Sequence, residues 1–180
     1  MRRKLGYGVG GHHLLAAAGV LGHRASVQRQ TAARKRLPIP TGVDTSERIR
    51  LGGVEQWIQI RGRSRSLPVL LYLHGGPGFS EMPLAHLNAA LAEDFIVVQW
   101  DQRGAGKSYS PDIPASSMTV EQIVADTREL VILLRARFQT PKIFLVAHSW
   151  GTIIGARAVA QSPELFYAYV AISQVAWPPE

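Results

Sequence analysis

The sequence predicts an α/β fold with a mostly parallel sheet and flanking helices. Short apolar runs, of the kind that parallel sheets bury on both faces, occur at residues 69–73, 95–100 and 142–147. Helix-like stretches separate these runs, most clearly at residues 119–138, where apolar side chains recur at helical spacing. Strands that alternate with helices favour right-handed crossovers, which lay successive strands parallel.

A β-hairpin is predicted before the parallel strands, with arms at residues 48–51 and 54–60 around a Gly-Gly turn. The long helix is predicted to begin after Thr119 as its cap, with Gln122 placed as in a capping box. Asp126 and Glu129 on this helix are interpreted as a solvated face. The other predicted elements are a short helix at 83–92 with Leu84, Leu87, Ala90 and Leu91 on one side, a helix at 150–161, and a last strand at 166–173.

The composition is that of one ordinary domain, with 180 residues of which 46% are apolar. The absence of cysteine excludes disulfides, zinc–thiolate sites and a cysteine nucleophile. The formal charge of +7 is concentrated at the start, because residues 1–36 carry eight Lys and Arg and no acid. The rest of the chain is close to neutral, so nucleic acid is not an expected partner.

Residues 1–44 are predicted to be a basic, disordered leader before a domain at 45–180. Arg2-Arg3-Lys4 and the run of eight apolar residues at 14–21 together are similar to an export signal, although the glycines and histidines of residues 6–13 separate the two parts. A mis-started extension and an interfacial anchor are alternatives. The run is too short for a stable membrane span, which needs about 20 residues. A cytoplasmic protein is expected unless the leader directs export or membrane association.

The most informative stretch is Ala147-His148-Ser149-Trp150-Gly151, which lies between an apolar run and a helix-like segment. A serine flanked by small residues at a strand-to-helix turn is typical of a nucleophile elbow, which exposes the hydroxyl above the sheet. Side chains larger than those of Ala147 and Gly151 would collide across so tight a turn. Ser149 is therefore the predicted nucleophile.

Two further motifs follow predicted strands. His74-Gly75-Gly76-Pro77-Gly78 comes after residues 69–73, and its glycines allow backbone N–H groups to face a substrate, as an oxyanion hole requires. A loop with the sequence Asp101-Gln102-Arg103-Gly104 comes after residues 95–100. Because ligands bind at the carboxyl ends of parallel strands, all three motifs are expected at one site.

The three motifs in this order, His-Gly-Gly-Pro-Gly, Asp-Gln-Arg-Gly-x-Gly-x-Ser and x-x-Ser-Trp-Gly, resemble those of the proline iminopeptidase-like branch of the α/β-hydrolase fold. The resemblance covers residues 45–180 and the first half of such an enzyme, so the C-terminal strands and the cap are absent from this sequence. It implies a serine hydrolase, an aminopeptidase of proline iminopeptidase type that acts on a peptide or small-molecule substrate through an acyl-enzyme. Such chemistry needs no metal or organic cofactor.

By the same resemblance, Ser149 is the nucleophile, and the backbone N–H groups of Gly76 and Trp150 form the oxyanion hole. Neither His74 nor His148 is expected to be the base, because His74 is expected to pack under the glycine loop and His148 to point away from Ser149. The residues implied to support the loops beside the site are His74, Gly75, Pro77, Gly78, Asp101, Arg103 and Ser108.

The triad acid and histidine are not found in this chain. No histidine follows Ser149, and the later acids are Glu164 and Glu180, whereas the chain order on this fold is Ser, acid, His. Loss of the base costs a serine hydrolase about 10⁴–10⁶ in rate, so the chain alone is expected to be inactive. One alternative is a non-catalytic remnant, or a half that needs a partner supplying the C-terminal half. The other is an esterase of the same fold. An epoxide hydrolase is disfavoured because that resemblance calls for Asp at the elbow.

Overall fold

The structure is a computed structural model, and it describes residues 10–35 and 42–176. The chain divides into two units, residues 1–37 and residues 38–180. The first unit contains the helix α1 (Gly10–Lys35), where a disordered segment was expected. Alanine, the residue with the strongest preference for helical backbone, is the most frequent residue of this helix. The basic motif at residues 2–4 lies outside the described residues, and export remains a prediction.

Neither α1 nor any other helix within residues 10–35 and 42–176 combines the length and apolar character that a bilayer-crossing helix requires.

Within residues 42–176 of the second unit, six strands form one sheet in the order β1-β2-β4-β3-β5-β6. β2 runs antiparallel to its neighbours β1 and β4, whereas β4, β3, β5 and β6 are parallel to one another. The predicted α/β class with a mostly parallel sheet is confirmed. The strands are β1 (Val43–Leu51), β2 (Val54–Gly62), β3 (Val69–Leu73), β4 (Ile96–Asp101), β5 (Ile143–His148) and β6 (Phe166–Ile172).

Two α-helices pack beside this sheet, α2 (Val120–Phe138) and α3 (Gly151–Gln161). The predicted cap of α2 is confirmed, because the Thr119 hydroxyl accepts a hydrogen bond from the Gln122 N–H at 3.1 Å. The capping box is not completed, since the Gln122 side chain donates to Asp126 instead, at 2.8 Å. Four 3₁₀ helices of the described residues lie at Met82–Glu93, Gly106–Ser108, Ala115–Ser117 and Pro163–Leu165.

The short helix predicted at 83–92 is the 3₁₀ helix Met82–Glu93, and its predicted apolar face is wrong. Leu84 and Leu87 are exposed, by 41% and 69%, whereas Ala85 and Ala92 are buried and the helix packs against β4. Residues three apart lie one above the other in a 3₁₀ helix, so Leu84, Leu87 and Ala90 do share one side, but that side is the exposed one.

The core fixes the carboxyl ends of three neighbouring strands side by side. Leu73 at the end of β3 pairs in register with Trp100 of β4 and with Ala147 of β5. All three residues are almost completely buried. The loops that leave β3, β4 and β5 therefore start from one rigid edge of the sheet, where the three motifs were expected to meet.

Candidate active site

Ser149 occupies a sharp turn between β5 and α3. Its φ of +50° is in the left-handed region, a conformation that costs a non-glycine residue about 1–2 kcal/mol. The turn is held by hydrogen bonds on both sides. The Ser149 N–H donates to the carbonyl of Ile172 at 2.9 Å, and the Ser149 carbonyl accepts from the N–H of Thr152 at 2.9 Å and from its hydroxyl at 2.6 Å. These bonds constrain the backbone of Ser149 and do not involve its hydroxyl.

Gly151 allows the start of α3 to approach the end of β3. A Cβ atom at Gly151 would lie 2.6 Å from the carbonyl oxygen of Leu73 and 2.7 Å from that of His74. Both neighbours are backbone atoms in a buried strand end and cannot move aside easily. The glycine predicted from the elbow pattern is therefore required by close packing against the next strand.

The glycine loop after β3 lies directly against the elbow. A Cβ atom at Gly75 would be 3.2 Å from the Cβ of Ser149 and 3.3 Å from the Nδ1 of His148. Gly76 has a φ of +123°, and a Cβ there would lie 2.7 Å from the amide nitrogen of Gly78. The structure therefore brings the predicted nucleophile and the predicted oxyanion loop into contact.

Three polar groups at this junction make no hydrogen bond to another described residue of the chain: the hydroxyl of Ser149 and the backbone N–H groups of Gly76 and Trp150. Backbone N–H groups are usually paired in folded proteins. A serine hydroxyl together with unpaired N–H donors on adjoining loops is the combination that acyl transfer with oxyanion stabilisation requires.

His74 joins the glycine loop to the loop that follows β4. Its ring is 2% exposed, and both nitrogens are used. Nδ1 donates to the carbonyl of Gly75 at 2.7 Å, so Nε2 accepts the N–H of Gln102 at 3.1 Å. Burial lowers the pKa of His74, partly opposed by the bond to Gly75 and by the nearby carboxylates of Asp101 and Glu81. A neutral ring with both nitrogens engaged has no free position for a proton from Ser149.

Asp101 fastens its own loop from a buried position at the end of β4. Its Oδ2 accepts the N–H of Lys107 at 2.8 Å, and its Oδ1 accepts the hydroxyl of Ser80. Its backbone carbonyl accepts the hydroxyl of Ser108 at 2.5 Å. The same hydroxyl oxygen accepts the N–H of Trp57 in β2 at 2.8 Å. These bonds tie the loop after β4 to β2 and to the segment that follows the glycine loop.

The guanidinium of Arg103 is directed away from the elbow, toward α2 and the hairpin turn. It forms a two-bond pair with Asp126, Nε to Oδ2 at 2.9 Å and Nη2 to Oδ1 at 3.0 Å, and Nη2 also donates to the carbonyl of Gly52 at 2.9 Å. Gln56 and Gln122 also donate to the Asp126 carboxylate, at 2.9 and 2.8 Å. Arg103 therefore anchors the loop after β4 to α2 and to the hairpin turn.

The solvated face predicted for α2 is wrong at Asp126, which is 0% exposed. Glu129 is exposed as expected, but its carboxylate accepts the N–H of Gly52 at 2.8 Å. Helical spacing places both acids on the polar side of α2 and gives no information about the hairpin that covers part of that side. The ion pair with Arg103 removes Asp126 from solvent.

Sequence reasoning missed Glu81, which lies between the glycine loop and the elbow. Its Oε1 accepts the N–H of Gly75 at 3.3 Å and meets Nδ1 of His148 at 2.8 Å. Burial raises the pKa of Tyr72, as do a hydrogen bond to Glu81 and the negative charge of Glu81. The only signal in the sequence is an isolated acid near Phe79 and Leu84, and it belongs to none of the motifs.

A cavity of about 270 Å³ opens beside Glu81. Its lining residues include Tyr72, Glu81, Leu84, Leu87, His148 and Ile172.

In the part of the chain that the structure describes, no group of three or more His, Asp or Glu side chains is placed to hold a metal ion.

The chain matches a family model described as the α/β hydrolase fold over residues 68–180. Bacillus subtilis "Probable aminopeptidase YbaC" is 38% identical over 143 residues, which are 79% of this chain and 45% of that protein. A proline iminopeptidase of Lactobacillus crispatus is 33% identical over 103 residues, 57% of this chain and 34% of that protein. The chain spans less than half the length of these two curated relatives.

Solved structures show the same relationship. An epoxide hydrolase of Vigna radiata superposes with a TM-score of 0.64 and 30% identity, covering 75% of this chain and 41% of that one. A proline iminopeptidase-related protein of Thermus thermophilus superposes with a TM-score of 0.61 and 26% identity, covering 72% of this chain and 44% of that one. The resemblance stated from the three motifs is confirmed.

Proposed function

Because this chain belongs to the α/β hydrolase fold family, we propose that it carries the nucleophile and oxyanion hole of a serine aminopeptidase of proline iminopeptidase type. The observation that carries the proposal is Ser149, with a φ of +50° at a strand-to-helix turn against which Gly75 is packed. The names of the similar Bacillus and Lactobacillus proteins support the choice of an aminopeptidase.

In the proposed reaction, the Ser149 hydroxyl attacks the carbonyl carbon of a substrate's amino-terminal residue. The oxygen of the tetrahedral intermediate accepts hydrogen bonds from the N–H groups of Gly76 and Trp150. The histidine supplied by the second half of the fold would take the proton of the Ser149 hydroxyl and return it to the amine, which leaves as its bond to the acyl carbon breaks, and water then releases the acyl group from Ser149 as a carboxylic acid. One oxyanion donor is worth about 10²–10³ in kcat, so the unpaired state of both N–H groups is central to the proposal.

The remaining motif residues are proposed to hold these loops in place. His74 and Asp101 link the loops after β3 and β4, as their hydrogen bonds indicate. Gly75, Pro77 and Gly78 give the glycine loop its close approach to the elbow, and Arg103 anchors the loop after β4 from the α2 side.

The triad acid and histidine are proposed to lie in the part of the relatives that this chain does not cover. No histidine follows Ser149 in this sequence, and both nitrogens of His74 are engaged. Full activity is therefore proposed only for a protein, or a complex with a partner, that supplies the second half of the fold. An esterase would use the same nucleophile and oxyanion donors, and its substrates provide the test between the two activities.

The similarity to an epoxide hydrolase is interpreted as shared fold rather than shared chemistry. The elbow residue here is a serine, whereas the resemblance to epoxide hydrolases calls for an aspartate that attacks the epoxide. A serine at this position suits attack on an acyl carbonyl.

The test is labelling of the purified chain with a fluorophosphonate, followed by intact mass and peptide mapping. We expect one adduct at Ser149, absent in Ser149→Ala and retained in Ser46→Ala, which changes an exposed serine of β1. Labelling is expected to be slow because the base is missing. If cooperatively folded protein remains entirely unlabelled, the proposal is contradicted and a non-catalytic remnant is favoured.

The substrate class is tested on protein in which the second half is supplied. Release of an amine from a proline anilide, lost when the amino group of the proline is acetylated, is expected for an aminopeptidase. Hydrolysis of a simple aryl ester without cleavage of the anilide would favour the esterase.

A further inference from the structure

The carboxylate of Glu81 lies where the glycine loop meets the elbow, and three parts of the chain converge on it. The N–H of Gly75, in the loop after β3, donates to Oε1 at 3.3 Å. Nδ1 of His148, at the end of β5, meets the same oxygen at 2.8 Å. Tyr72, within β3, lies beside the same carboxylate, whose negative charge helps to raise the pKa of the phenol. The Glu81 side chain is 13% exposed, so these bonds are largely shielded from water.

The chemistry of the carboxylate fixes the direction of each bond. An ionised carboxylate only accepts hydrogen bonds, so Nδ1 of His148 must carry a proton. Burial and the contact with Glu81 raise the pKa of Tyr72, which keeps the phenol neutral and able to donate. Hydrogen bonds to an ionised acceptor are roughly twice as strong as neutral ones. Glu81 is thus an acceptor shared by groups on both sides of the junction.

No other hydrogen bond among the described residues joins the glycine loop directly to the elbow. Gly75 otherwise contacts Ser149 and His148 only through van der Waals packing, so close that an added Cβ atom would lie 3.2 Å from the Cβ of Ser149. Such packing sets a closest approach but does not prevent the loop from moving away. A shared hydrogen-bond acceptor supplies that restraint.

We propose that Glu81 is a positioning residue that fixes the glycine loop against the elbow by accepting hydrogen bonds from Gly75 and His148 at once. It holds the N–H of Gly76 beside Ser149 without touching the reacting atoms itself. The consequence for catalysis rests on the proposed function, whereas the bridge between the two loops does not. A side chain that merely lines the cavity beside Leu84 and Leu87 would have neither effect.

The test compares Glu81→Met, which removes the acceptor at similar size, with Glu81→Gln, which keeps an acceptor oxygen. Glu55→Met, at an exposed position of β2, is the matched control. Long-range ¹H–¹⁵N correlation spectra, recorded where the imidazoles are neutral, report which nitrogen of His148 carries the proton. Amide hydrogen exchange reports the bond of the Gly75 N–H.

We expect the Nδ1–H form of His148 in the unchanged chain, in Glu81→Gln and in Glu55→Met. In Glu81→Met we expect the Nε2–H form and an increase of about tenfold or more in Gly75 exchange, as loss of a charge-assisted bond implies. Retention of the Nδ1–H form and of slow exchange in a folded Glu81→Met protein would overturn the proposal. Should Glu81→Met fail to fold, retention of the Nδ1–H form and of slow Gly75 exchange in a folded Glu81→Ala protein would overturn it as well.

Fluorophosphonate labelling of the same variants separates this proposal from the proposed function. Slower labelling of Ser149 in Glu81→Met, restored in Glu81→Gln, supports both. If the unchanged chain is not labelled while the tautomer and the exchange rate change as expected, the bridge stands and the proposed function fails. If labelling is equally fast in all variants, the positioning role of Glu81 fails and the proposed function stands.

Discussion

Two polar clusters lie beyond the carboxyl ends of the strands, and they are built on opposite principles. In the Arg103 cluster, formed by Gln56, Arg103, Gln122 and Asp126, the ion-paired side chains are 1% and 0% exposed and their charges are fully paired. In the elbow cluster, formed by Gly75, Gly76, Ser149 and Trp150, a hydroxyl and two N–H groups have no partner among the described residues. Ser149 also has strained backbone.

The difference shows where this fold is optimised for stability and where it is not. A buried charge is tolerated only when it is paired, and breaking such a pair is strongly destabilising. A catalytic centre instead needs groups that are free to bind a substrate, and strain or unpaired donors there lower stability. Substitutions in the two clusters should therefore have opposite consequences for stability and reactivity.

Removal of Asp126 should give the largest loss of stability. Asp126→Leu leaves the Arg103 guanidinium buried without its counter-ion, and we expect the free energy of unfolding to fall by about 3–5 kcal/mol. Urea denaturation measures the effect. Glu129→Leu, one turn further along α2 at an exposed position, is the control and should cost less than about 1 kcal/mol. Equal effects of the two substitutions would contradict the assignment of a buried ion pair.

Gly151→Ala should have the next largest effect, and it should damage the elbow as well. The new methyl group would lie 2.6 Å from the Leu73 carbonyl oxygen, and such overpacking costs about 1–3 kcal/mol. Gly22→Ala in α1 is the control, because a Cβ atom at that helical glycine would meet nothing within 4 Å. Urea denaturation and fluorophosphonate labelling are measured together. An unaffected Gly151→Ala protein would show that the elbow does not depend on this close approach.

A smaller effect is expected from pH, through His74. Its pKa is lowered by burial from the ordinary value of 6.5, so below that value the unfolded chain binds the proton more readily than the folded one. The stability contributed by neutral His74 is therefore present above about pH 6.5 and is lost as the pH falls toward the lowered pKa.

The measurement for His74 is the free energy of unfolding from pH 7.5 to pH 5. We expect a shallower decline in His74→Asn than in the unchanged chain, and an unchanged decline in His86→Asn, whose side chain is exposed. Parallel curves for all three proteins would mean that His74 is not held neutral.

Local pattern was sufficient to predict the framework of the fold. Residues 69–73 form β3 with the predicted bounds, because a continuous apolar run between turns has few other structures to adopt. The Gly-Gly turn of the hairpin and the Thr119 cap were also predicted, and both depend on neighbours within a few residues. The motifs themselves placed Ser149 and the glycine loop at one edge of the sheet.

Features that depend on distant partners were not predictable from one sequence. Asp126 is buried by Arg103 and Gln56 from other parts of the chain, and Glu81 meets His148 across 67 residues. Leu84 and Leu87 are exposed because the helix packs against β4 through its other side, which carries Ala85 and Ala92. In each case the local pattern was compatible with more than one environment, and tertiary packing decided between them.

The strained backbone of Ser149 is tested most directly by comparing Ser149→Gly with Ser149→Ala by urea denaturation. Both lack the hydroxyl, but only glycine adopts a φ of +50° without strain. We predict that Ser149→Gly is the more stable by about 1 kcal/mol. At Ser46 in β1, the same pair should show the opposite order, because glycine weakens a strand. If alanine is the more stable residue at position 149 as well, the elbow is unstrained and the account is contradicted.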